Sequence, residues 1–248
     1  MDLVEREGAI DRRHPWEVAR SRFFLSLLQR YGALRTTTEW LDVGAGDGWL
    51  GAELRQRLPH RSRVVCWDVN YTPDDLASEG PGPGVELTDK RPCQSFGGAM
   101  LLDVIEHVES DQELLRDVVE LVAPGGWVMV SVPAHPWLFS AHDHALRHHR
   151  RYVPGRCAEL VEGAGVEILA GGGLFHALMA VRAAQVARER LGLRPSQPVG
   201  VGHWDHGRAL TAAVTGVLVA EARISAELGA RGWGLPGLSY WALGRRRR

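Results

Sequence analysis

Residues 134–152 contain side chains that suit acid–base chemistry. This histidine-rich stretch holds five histidines and one acidic residue: His135, His142, Asp143, His144, His148, His149. An imidazole near its ordinary pKa of about 6.5 can remove a proton at neutral pH. We therefore expect His142, Asp143 and His149, with His107 from an earlier loop, to act as a base or to orient a substrate. The alternative for each histidine is a hydrogen-bonded structural side chain.

A second stretch that could serve a ligand is the glycine turn of residues 42–48, Asp-Val-Gly-Ala-Gly-Asp-Gly. Trp40 and Leu41 before it predict the end of a buried strand. Leucines at four-residue spacing after it predict a helix that Asp47 can cap. Glycine lets a backbone turn and approach a ligand where a Cβ would collide. The turn predicts a cofactor cradle at the carboxyl end of a strand, with a plain strand-to-helix connection as the alternative.

The spacing of these glycines discriminates between cofactors. The dinucleotide fingerprint G-x-G-x-x-G requires glycine where Trp49 stands, and the Gly-Lys-Ser/Thr ending of a phosphate-binding loop is missing. The pattern is instead G-x-G-x-G preceded by an acid, which resembles the first motif of class I S-adenosylmethionine-dependent methyltransferases. The resemblance implies that four residues of the turn contact the cofactor, near its methionine part: Asp42, Gly44, Ala45, Gly46.

Acidic residues also follow the next two predicted strands. Asp68 ends the run Arg63–Trp67, about 20 residues after the glycine turn, where an acid can bind both ribose hydroxyls. We assign the ribose to Asp68 and include its neighbour Val69 in the cofactor site. Asp89 follows the short strand 85–87, where the resemblance implies a polar residue near the adenine amino group. An aspartate of a turn or a solvated loop is the alternative at both positions.

The segment 99–108 joins an apolar strand to a loop with an acid and a histidine, Asp-Val-Ile-Glu-His-Val. A serine-led capping box at 110–113 then predicts the start of a helix. The Pro-Gly-Gly of 124–126 predicts the end of that helix before a strand over 127–133.

This succession resembles the fourth and fifth motifs of the same methyltransferases. The resemblance therefore extends from Trp40 to Pro133 and implies a place for Asp103 in the cofactor site. Methyltransferases that act on exocyclic base nitrogens have Asn/Asp-Pro-Pro-Tyr at the fourth motif, whereas Val104 and Ile105 follow Asp103 here. Methylation of a nucleic-acid base by that route is disfavoured.

The histidine-rich stretch resembles a bacterial branch of the class I family. The shared pattern is Pro-Ala-His-x-x-Leu-Phe-Ser-x-His-Asp, continuing to His-His-Arg-Arg-Tyr. The substrates of this branch are diverse, and the position after the fifth motif implies that the stretch lies over the cofactor's methyl group. Histidines with an acid also hold metal ions, but their spacing fits no zinc signature, so we predict no metal site.

Helical segments are predicted on both sides of this core. Residues 14–31 have helical periodicity, with Pro15 in the first turn. A helix before the first strand often lies across the cofactor in this class, so Trp16 and Arg20 are predicted to cover it; packing on the sheet is the alternative. Residues 174–229 predict two helices joined by a Pro/Gly loop. We expect these helices to serve core packing or a homodimer; the alternative is that they bind an apolar substrate or a membrane surface.

Composition limits the classes of function. The length of 248 residues and the hydrophobic content of 45% predict a single domain, to which the helical segment 174–229 is added. A net charge of -1 does not indicate binding to nucleic acid. The arginine run 245–248 predicts a mobile end of the chain. No apolar run reaches the ~20 residues of a membrane span, and we find no signal segment. Three widely spaced cysteines without a C-x-x-C pair predict reduced thiols and a cytoplasmic protein.

We therefore predict an α/β fold, a Rossmann-like three-layer sandwich with a mostly parallel seven-stranded sheet. Its predicted parts are a helical cap (1–39), a cofactor-binding core (40–170), a helical insertion (171–236) and a last strand with a basic tail (237–248). The predicted function is S-adenosylmethionine-dependent methyl transfer to a small-molecule acceptor in bacterial specialised metabolism. A non-catalytic cofactor-fold subunit is the alternative, and the glycine spacing argues against an NAD-dependent oxidoreductase.

Overall fold

The computed structural model describes residues 13–78, 80–193, 204 and 206–248. Its strands are β1 (Glu39–Val43), β2 (Arg63–Trp67), β3 (Val85–Thr88), β4 (Phe96–Leu102), β5 (Val122–Pro133), β6 (Val166–Leu174) and β7 (Ser239–Arg246). They form one sheet in the order β3-β2-β1-β4-β5-β7-β6. Strand β7 runs antiparallel between β5 and β6, whereas the other neighbours pair in parallel. The predicted seven-stranded, mostly parallel sheet is confirmed.

The helices described are α1 (Pro15–Arg30), α2 (Ala33–Thr36), α3 (Trp49–Arg55), α4 (Pro73–Ala77), α5 (Asp111–Leu121), α6 (Ala141–Ala145), α7 (Pro154–Gly163), α8 (His176–Arg190) and α9 (Arg208–Gly229). Side chains of β1 alternate between the faces of the sheet, so that Trp40 and Leu41 belong to different core clusters. Helices α1, α3 and α9 pack in the first cluster, and α5 and α7 pack in the second. The predicted three layers are confirmed.

The carboxyl ends of β1, β2 and β4 meet at one edge of the sheet. Val43 at the end of β1 pairs with Trp67 of β2 and with Leu101 of β4. The glycine turn, Asp68 and Asp103 follow these three strands and are therefore neighbours. The strand order reverses beside β1, and ligands of open α/β sheets bind at such a point.

The predicted insertion begins later than residue 171, because β6 continues through three glycines to Leu174. A Cβ at Gly173 would collide with the backbone of Leu235 and Gly237, so only glycine fits this close pairing. The added helices are α8 and α9. The loop predicted to join them falls on residues 194–203 and 205, outside the described part of the chain, apart from Trp204.

The prediction of a mobile basic tail is wrong for its first two arginines. Arg245 and Arg246 belong to β7, where they extend the strand beyond its apolar residues. The Arg245 guanidinium lies 3.9 Å from the ring centroid of Trp127, and Arg245 donates a hydrogen bond of 2.9 Å to the Gly125 carbonyl. Arg246 donates one of 2.9 Å to the Glu120 carbonyl. The last strand is anchored by these contacts.

The predicted capping box of α5 is also wrong. Ser110 stands at the N-cap position, but within the described chain its side chain accepts no capping hydrogen bond. Asp111 Oδ2 instead accepts hydrogen bonds of 2.8 Å from both Arg150 and the Tyr152 hydroxyl, while its Oδ1 accepts from Gln112. The start of α5 is therefore tied to the end of the histidine-rich stretch.

Of the described helices, α9 alone is long and apolar enough to cross a membrane; its mean hydropathy over an 18-residue window is 1.4. Its inner face, which includes Leu218 and Ala222, is buried in the same core cluster as α1. Arg30 of α1 also forms an ion pair with Glu227 of α9. Core helices of soluble proteins have the same length and composition, so these properties alone do not indicate a membrane span.

Candidate cofactor and acceptor site

A cavity of about 860 Å³ opens at the carboxyl ends of β1, β2 and β4. It is lined by most of the residues that the sequence predicts for the site: Trp16, Arg20, Asp42, Gly44, Ala45, Asp68, Val69, Asp103, His107, His142, His149. Three predicted residues lie outside its lining: Gly46, Asp89, Asp143. We call the end beside the glycine turn the cofactor half. The acceptor half is the end formed by Glu106, His107, the histidine-rich stretch and α8.

Backbone conformation explains the glycines of the turn. Gly44, Gly46 and Gly48 have φ angles of 61°, 57° and 71°, in the left-handed region that favours glycine. A Cβ at Gly44 would lie 2.7 Å from the Val104 side chain, so glycine also permits close approach to the loop after β4. Gly46 is buried behind the cavity wall, and its conformation explains why glycine stands there. Gly48 occupies the N-cap position of α3 that Asp47 was predicted to fill.

Asp68 is buried at the end of β2 and is already hydrogen-bonded. Its Oδ2 accepts from the Gly46 N–H at 3.0 Å, and its Oδ1 accepts from the Asn70 N–H at 3.0 Å and the Asn70 side-chain amide at 3.1 Å. A carboxylate offers about four acceptor positions, so one remains for a ligand hydroxyl. Asp68 therefore fixes the glycine turn while it faces the cavity. The apolar side chain of Val69 beside it is 73% exposed.

Asp42 is the least satisfied carboxylate of the cofactor half. It is 3% exposed, and no residue that the structure describes donates a hydrogen bond to its Oδ2. Burial raises the pKa of Asp42 to about 7, while the charge of Arg20 opposes this change. A buried acceptor without a donor destabilises the fold. A cationic or hydrogen-bonding ligand in the cavity would satisfy it.

Asp103 and helix α1 cover the cofactor half of the cavity. Asp103 has a φ of 59°, which is uncommon for a residue other than glycine. Its carboxylate forms an ion pair with Arg20 and accepts a hydrogen bond of 3.1 Å from the Ser131 hydroxyl. The Arg20 guanidinium lies 4.7 Å from the ring centroid of Trp16. Trp16 and Arg20 thus line the cavity from the predicted covering helix.

Asp89 lies away from the cavity. It follows β3, which is the edge strand of the sheet and is separated from β1 by β2. The side chain is partly buried beside the Thr88 turn, in which the Thr88 hydroxyl accepts a hydrogen bond of 3.1 Å from the Lys90 N–H. The predicted adenine contact of Asp89 is not supported by this placement.

Asp143, predicted as a catalytic group, has a structural environment instead. It is fully buried and accepts hydrogen bonds from the Ser140 N–H at 3.0 Å, His148 Nδ1 at 3.0 Å and Arg151 Nε at 2.7 Å. Burial alone would raise the pKa of Asp143, but the hydrogen bond from His148 and the charge of Arg151 lower it to about 2. Such a carboxylate is a poor base at neutral pH, so Asp143 organises the histidine-rich stretch.

The acceptor half brings two distant loops together. His107 comes from the loop after β4, and His142 and His149 come from the histidine-rich stretch. The His149 N–H donates a hydrogen bond of 2.8 Å to the Glu106 carbonyl, which joins these loops. Imidazoles at this wall can take a proton from an acceptor or orient it.

Sequence reasoning missed three residues of the acceptor half: Glu106, His148, Arg151. Glu106 is fully buried, and neither of its carboxylate oxygens has a hydrogen-bond partner in the described part of the chain. Burial, followed by the charge of Asp103, raises the pKa of Glu106 well above its ordinary value. The His148 and His107 rings meet edge to face with centroids 4.7 Å apart. All three residues stand in motifs noted above. The sequence therefore shows their residue types, but it does not show that the fold brings them close to one another.

Comparisons with known proteins agree with this geometry. Residues 16–170, more than half of the chain, match a family model described as a methyltransferase domain. Comparison with curated proteins gives no match. Among solved structures, the chain is similar to the [4+2]-cyclase SpnF, with 17% identity, a TM-score of 0.57, and coverage of 97% of this chain and 85% of that one.

Two further solved structures are similar in fold. A protein of Galdieria sulphuraria, described as a sarcosine dimethylglycine methyltransferase, has 16% identity and a TM-score of 0.56, covering 92% of this chain and 85% of that chain. The N-methyltransferase NodS of Bradyrhizobium japonicum WM9, in complex with S-adenosylhomocysteine, has 13% identity and a TM-score of 0.54, covering 100% of both chains. From the family match and the cofactor half together, the chain belongs to the methyltransferase domain family and is a class I S-adenosylmethionine-dependent methyltransferase.

Proposed function

We propose that the protein transfers a methyl group from S-adenosylmethionine to a small-molecule acceptor held in the acceptor half. The observation that carries this proposal is the shared cavity, which has carboxylates at one end and imidazoles and guanidinium groups at the other. Its volume of about 860 Å³ lies within the range of about 300–1,000 Å³ that is usual for small-molecule sites.

The cofactor half fits the charges of S-adenosylmethionine. The buried Oδ2 of Asp42, which lacks a donor among the described residues, suits the cofactor's ammonium group. The remaining acceptor position of Asp68 suits a ribose hydroxyl, and the exposed Val69 offers apolar contact to the adenine. When bound, the cofactor supplies an electrophilic methyl group on its sulfonium.

The acceptor half aligns the nucleophile and excludes water. Methyl transfer is an in-line displacement, so much of its acceleration can come from holding the two reactants in line. We assign proton removal or orientation to His142 and His149. Arg182 of α8 also lines the cavity; burial and the nearby charge of Arg151 lower the pKa of Arg182. The guanidinium group of Arg182 favours an acceptor that carries an anionic or electron-rich group.

A mass-shift screen tests this function. The full-length protein is incubated with S-adenosylmethionine and pools of small metabolites, and methylated products and S-adenosylhomocysteine are measured together by mass spectrometry. We expect one product class, heavier by a single methyl group, in amounts equal to the S-adenosylhomocysteine formed. Cofactor binding without any methylated product would contradict the proposal. It would favour a binding subunit, or a reaction other than methyl transfer on this fold, as the name of the [4+2]-cyclase SpnF describes for that protein.

We also propose a cytoplasmic protein of bacterial specialised metabolism that does not bind nucleic acid and forms a homodimer through α8 and α9. The formal net charge of -1 supports the absence of a nucleic-acid partner, and the three free cysteines support a reducing compartment.

Exposed apolar side chains on the two helices support the dimer: Val181, Leu210, Val217, Ile224. Sedimentation analysis tests it, since Val217→Glu is expected to give a monomer; a parent protein that sediments as a monomer would contradict it.

A further inference from the structure

We propose that Glu106, His107 and His148 form a site for one divalent first-row transition-metal ion in the acceptor half. Each residue offers one ligand atom, and these atoms all lie within 4.8 Å of one another. Glu106 and His107 belong to a short 3-10 turn after β4, Ile105–His107, whereas His148 belongs to the histidine-rich stretch. Because the ligands come from two loops, no spacing along the sequence indicates the site.

Glu106 is the first argument for a cation. Its side chain is fully buried and faces the cavity, and both carboxylate oxygens lack a hydrogen-bond donor among the described residues. Burial of an ionisable group without a partner is unfavourable. A metal ion bound to Glu106 would pair with its carboxylate and occupy its acceptor positions.

The orientation of His148 is the second, independent argument. Its Nδ1 lies 3.0 Å from Asp143 Oδ1, and Asp143 is held in turn by Arg151 and Ser140. Because Asp143 is a stable carboxylate, the proton of the His148 ring is expected on Nδ1, which leaves Nε2 as the free donor of electrons. Metal-binding histidines in proteins usually have such a carboxylate behind the ring, where it fixes the tautomer and orientation. Asp143 is therefore a positioning residue for His148.

The ligand set indicates the class of metal. Two imidazoles and one carboxylate suit Zn²⁺, Fe²⁺ or Co²⁺ better than Mg²⁺ or Ca²⁺, which prefer oxygen ligands alone. With a Zn–N distance of about 2.0–2.1 Å, tetrahedral ligand atoms lie about 3.4 Å apart, so the three side chains must rotate towards one another on binding. Three protein ligands leave at least one position open for another group.

The open position suggests a role that rests on the proposed function. An oxygen atom of the acceptor could occupy it, and a bound ion would lower the pKa of that group and hold it towards the cofactor's methyl. The metal site itself depends only on the three side chains and does not require methyl transfer.

Metal binding can be measured directly on the full-length protein. The protein is stripped with a chelator and dialysed against Zn²⁺, and bound zinc is determined by elemental analysis. We expect about one Zn²⁺ per chain, and at least tenfold weaker binding in Glu106→Gln and in His148→Ala. His144→Ala is the matched control: this exposed histidine lies on the same stretch, outside the cluster, and its loss should leave zinc binding unchanged. S-adenosylhomocysteine binding measured on the same samples verifies that each variant is folded.

Two outcomes would overturn the site: a parent protein that binds no zinc above the level of a surface histidine, or Glu106→Gln and His148→Ala variants that bind zinc as tightly as the parent. The acceptor role has a separate test. Full turnover of the metal-free protein would overturn that role while leaving methyl transfer intact. A metal-loaded protein that binds S-adenosylmethionine but methylates nothing would instead count against the proposed function.

Discussion

The two halves of the cavity are built in different ways. In the cofactor half, the three carboxylates lie in or directly after parallel strands, and the register of the sheet sets their positions: Asp42 in β1, Asp68 after β2, Asp103 after β4. In the acceptor half, the imidazoles come from two loops, which are joined by the hydrogen bonds from the His149 N–H to the Glu106 carbonyl and from Arg150 to Asp111. Local motifs therefore describe the first half well. The second depends on contacts between residues that are far apart in the chain.

The largest expected effect is on turnover in the acceptor half. We expect His142→Ala or His149→Ala to lower the single-turnover rate by about 10²–10⁴-fold if the lost imidazole is the base, and by less if it only orients the acceptor. Affinity for S-adenosylhomocysteine should stay within a few-fold, because the cofactor contacts lie in the other half. The exposed His60→Ala serves as the control. Unchanged turnover in both variants would contradict a base at either position and would mean that the acceptor half acts by alignment alone.

Removal of Arg151 should test how far the acceptor half supports the fold. Arg151→Ala removes the guanidinium partner of the buried Asp143 carboxylate, and breaking a buried ion pair in this way typically destabilises a protein by about 3–5 kcal/mol. Urea unfolding measures this loss. Arg156→Ala, which breaks an exposed pair with Glu159, should change stability by at most about 1 kcal/mol. A stable Arg151→Ala variant that no longer binds S-adenosylhomocysteine would show that the two halves are not separable.

In the cofactor half, a side chain on the glycine turn should abolish binding. Gly44→Val places a branched residue at a φ of 61° and within 2.7 Å of Val104. We expect more than about 100-fold weaker binding of S-adenosylhomocysteine, measured by calorimetry, from this strain and from the filled cradle. Gly216→Ala on α9, where a Cβ meets open space, is the control. Equal affinity of Gly44→Val and the parent would remove the turn from the cofactor site.

Asp68→Ala should have a smaller effect on the same affinity. Hydrogen bonds to a charged acceptor contribute about 1.5–3 kcal/mol each, so loss of one ribose contact predicts about 10–150-fold weaker binding. The variant also frees the N–H groups of Gly46 and Asn70, which loosens the turn. Asp74→Ala, an exposed acid on α4, controls for the change in net charge. Binding as tight as in the parent would contradict the ribose assignment.

The smallest expected effect is the pH dependence caused by Asp42. Its folded pKa of about 7 exceeds the ordinary 3.8, so below pH 7 the carboxyl is protonated and attracts the cofactor's ammonium less. Affinity for S-adenosylmethionine should fall about tenfold at most from pH 8 to pH 6, and this slope should disappear in Asp42→Asn. The folded state binds the extra proton, so the contribution of Asp42 to stability should decrease as the pH rises from about 4 to 7. A parent affinity independent of pH would contradict this assignment.

The same difference explains what the sequence could predict. Strand ends and the glycine turn are local patterns, so the sheet and the place of Asp68 followed from residue types and spacing. The cavity-lining Asp42 and Asp103 and the covering helix α1 were expected from the resemblance to class I methyltransferases that these patterns carry. Asp143 was misassigned, because sequence does not show that Arg151 and His148 occupy its carboxylate. Asp89 was misplaced because the position of the cavity relative to an edge strand depends on the whole sheet.

The arrangement of the two halves can be tested most directly by a crystal structure of the protein with S-adenosylhomocysteine. We expect a ribose hydroxyl within hydrogen-bond distance of Asp68, the amino group beside Asp42, and the sulfur directed towards His142 and His149. A cofactor bound with its sulfur facing away from the histidine-rich stretch, or bound outside this cavity, would contradict the central claim.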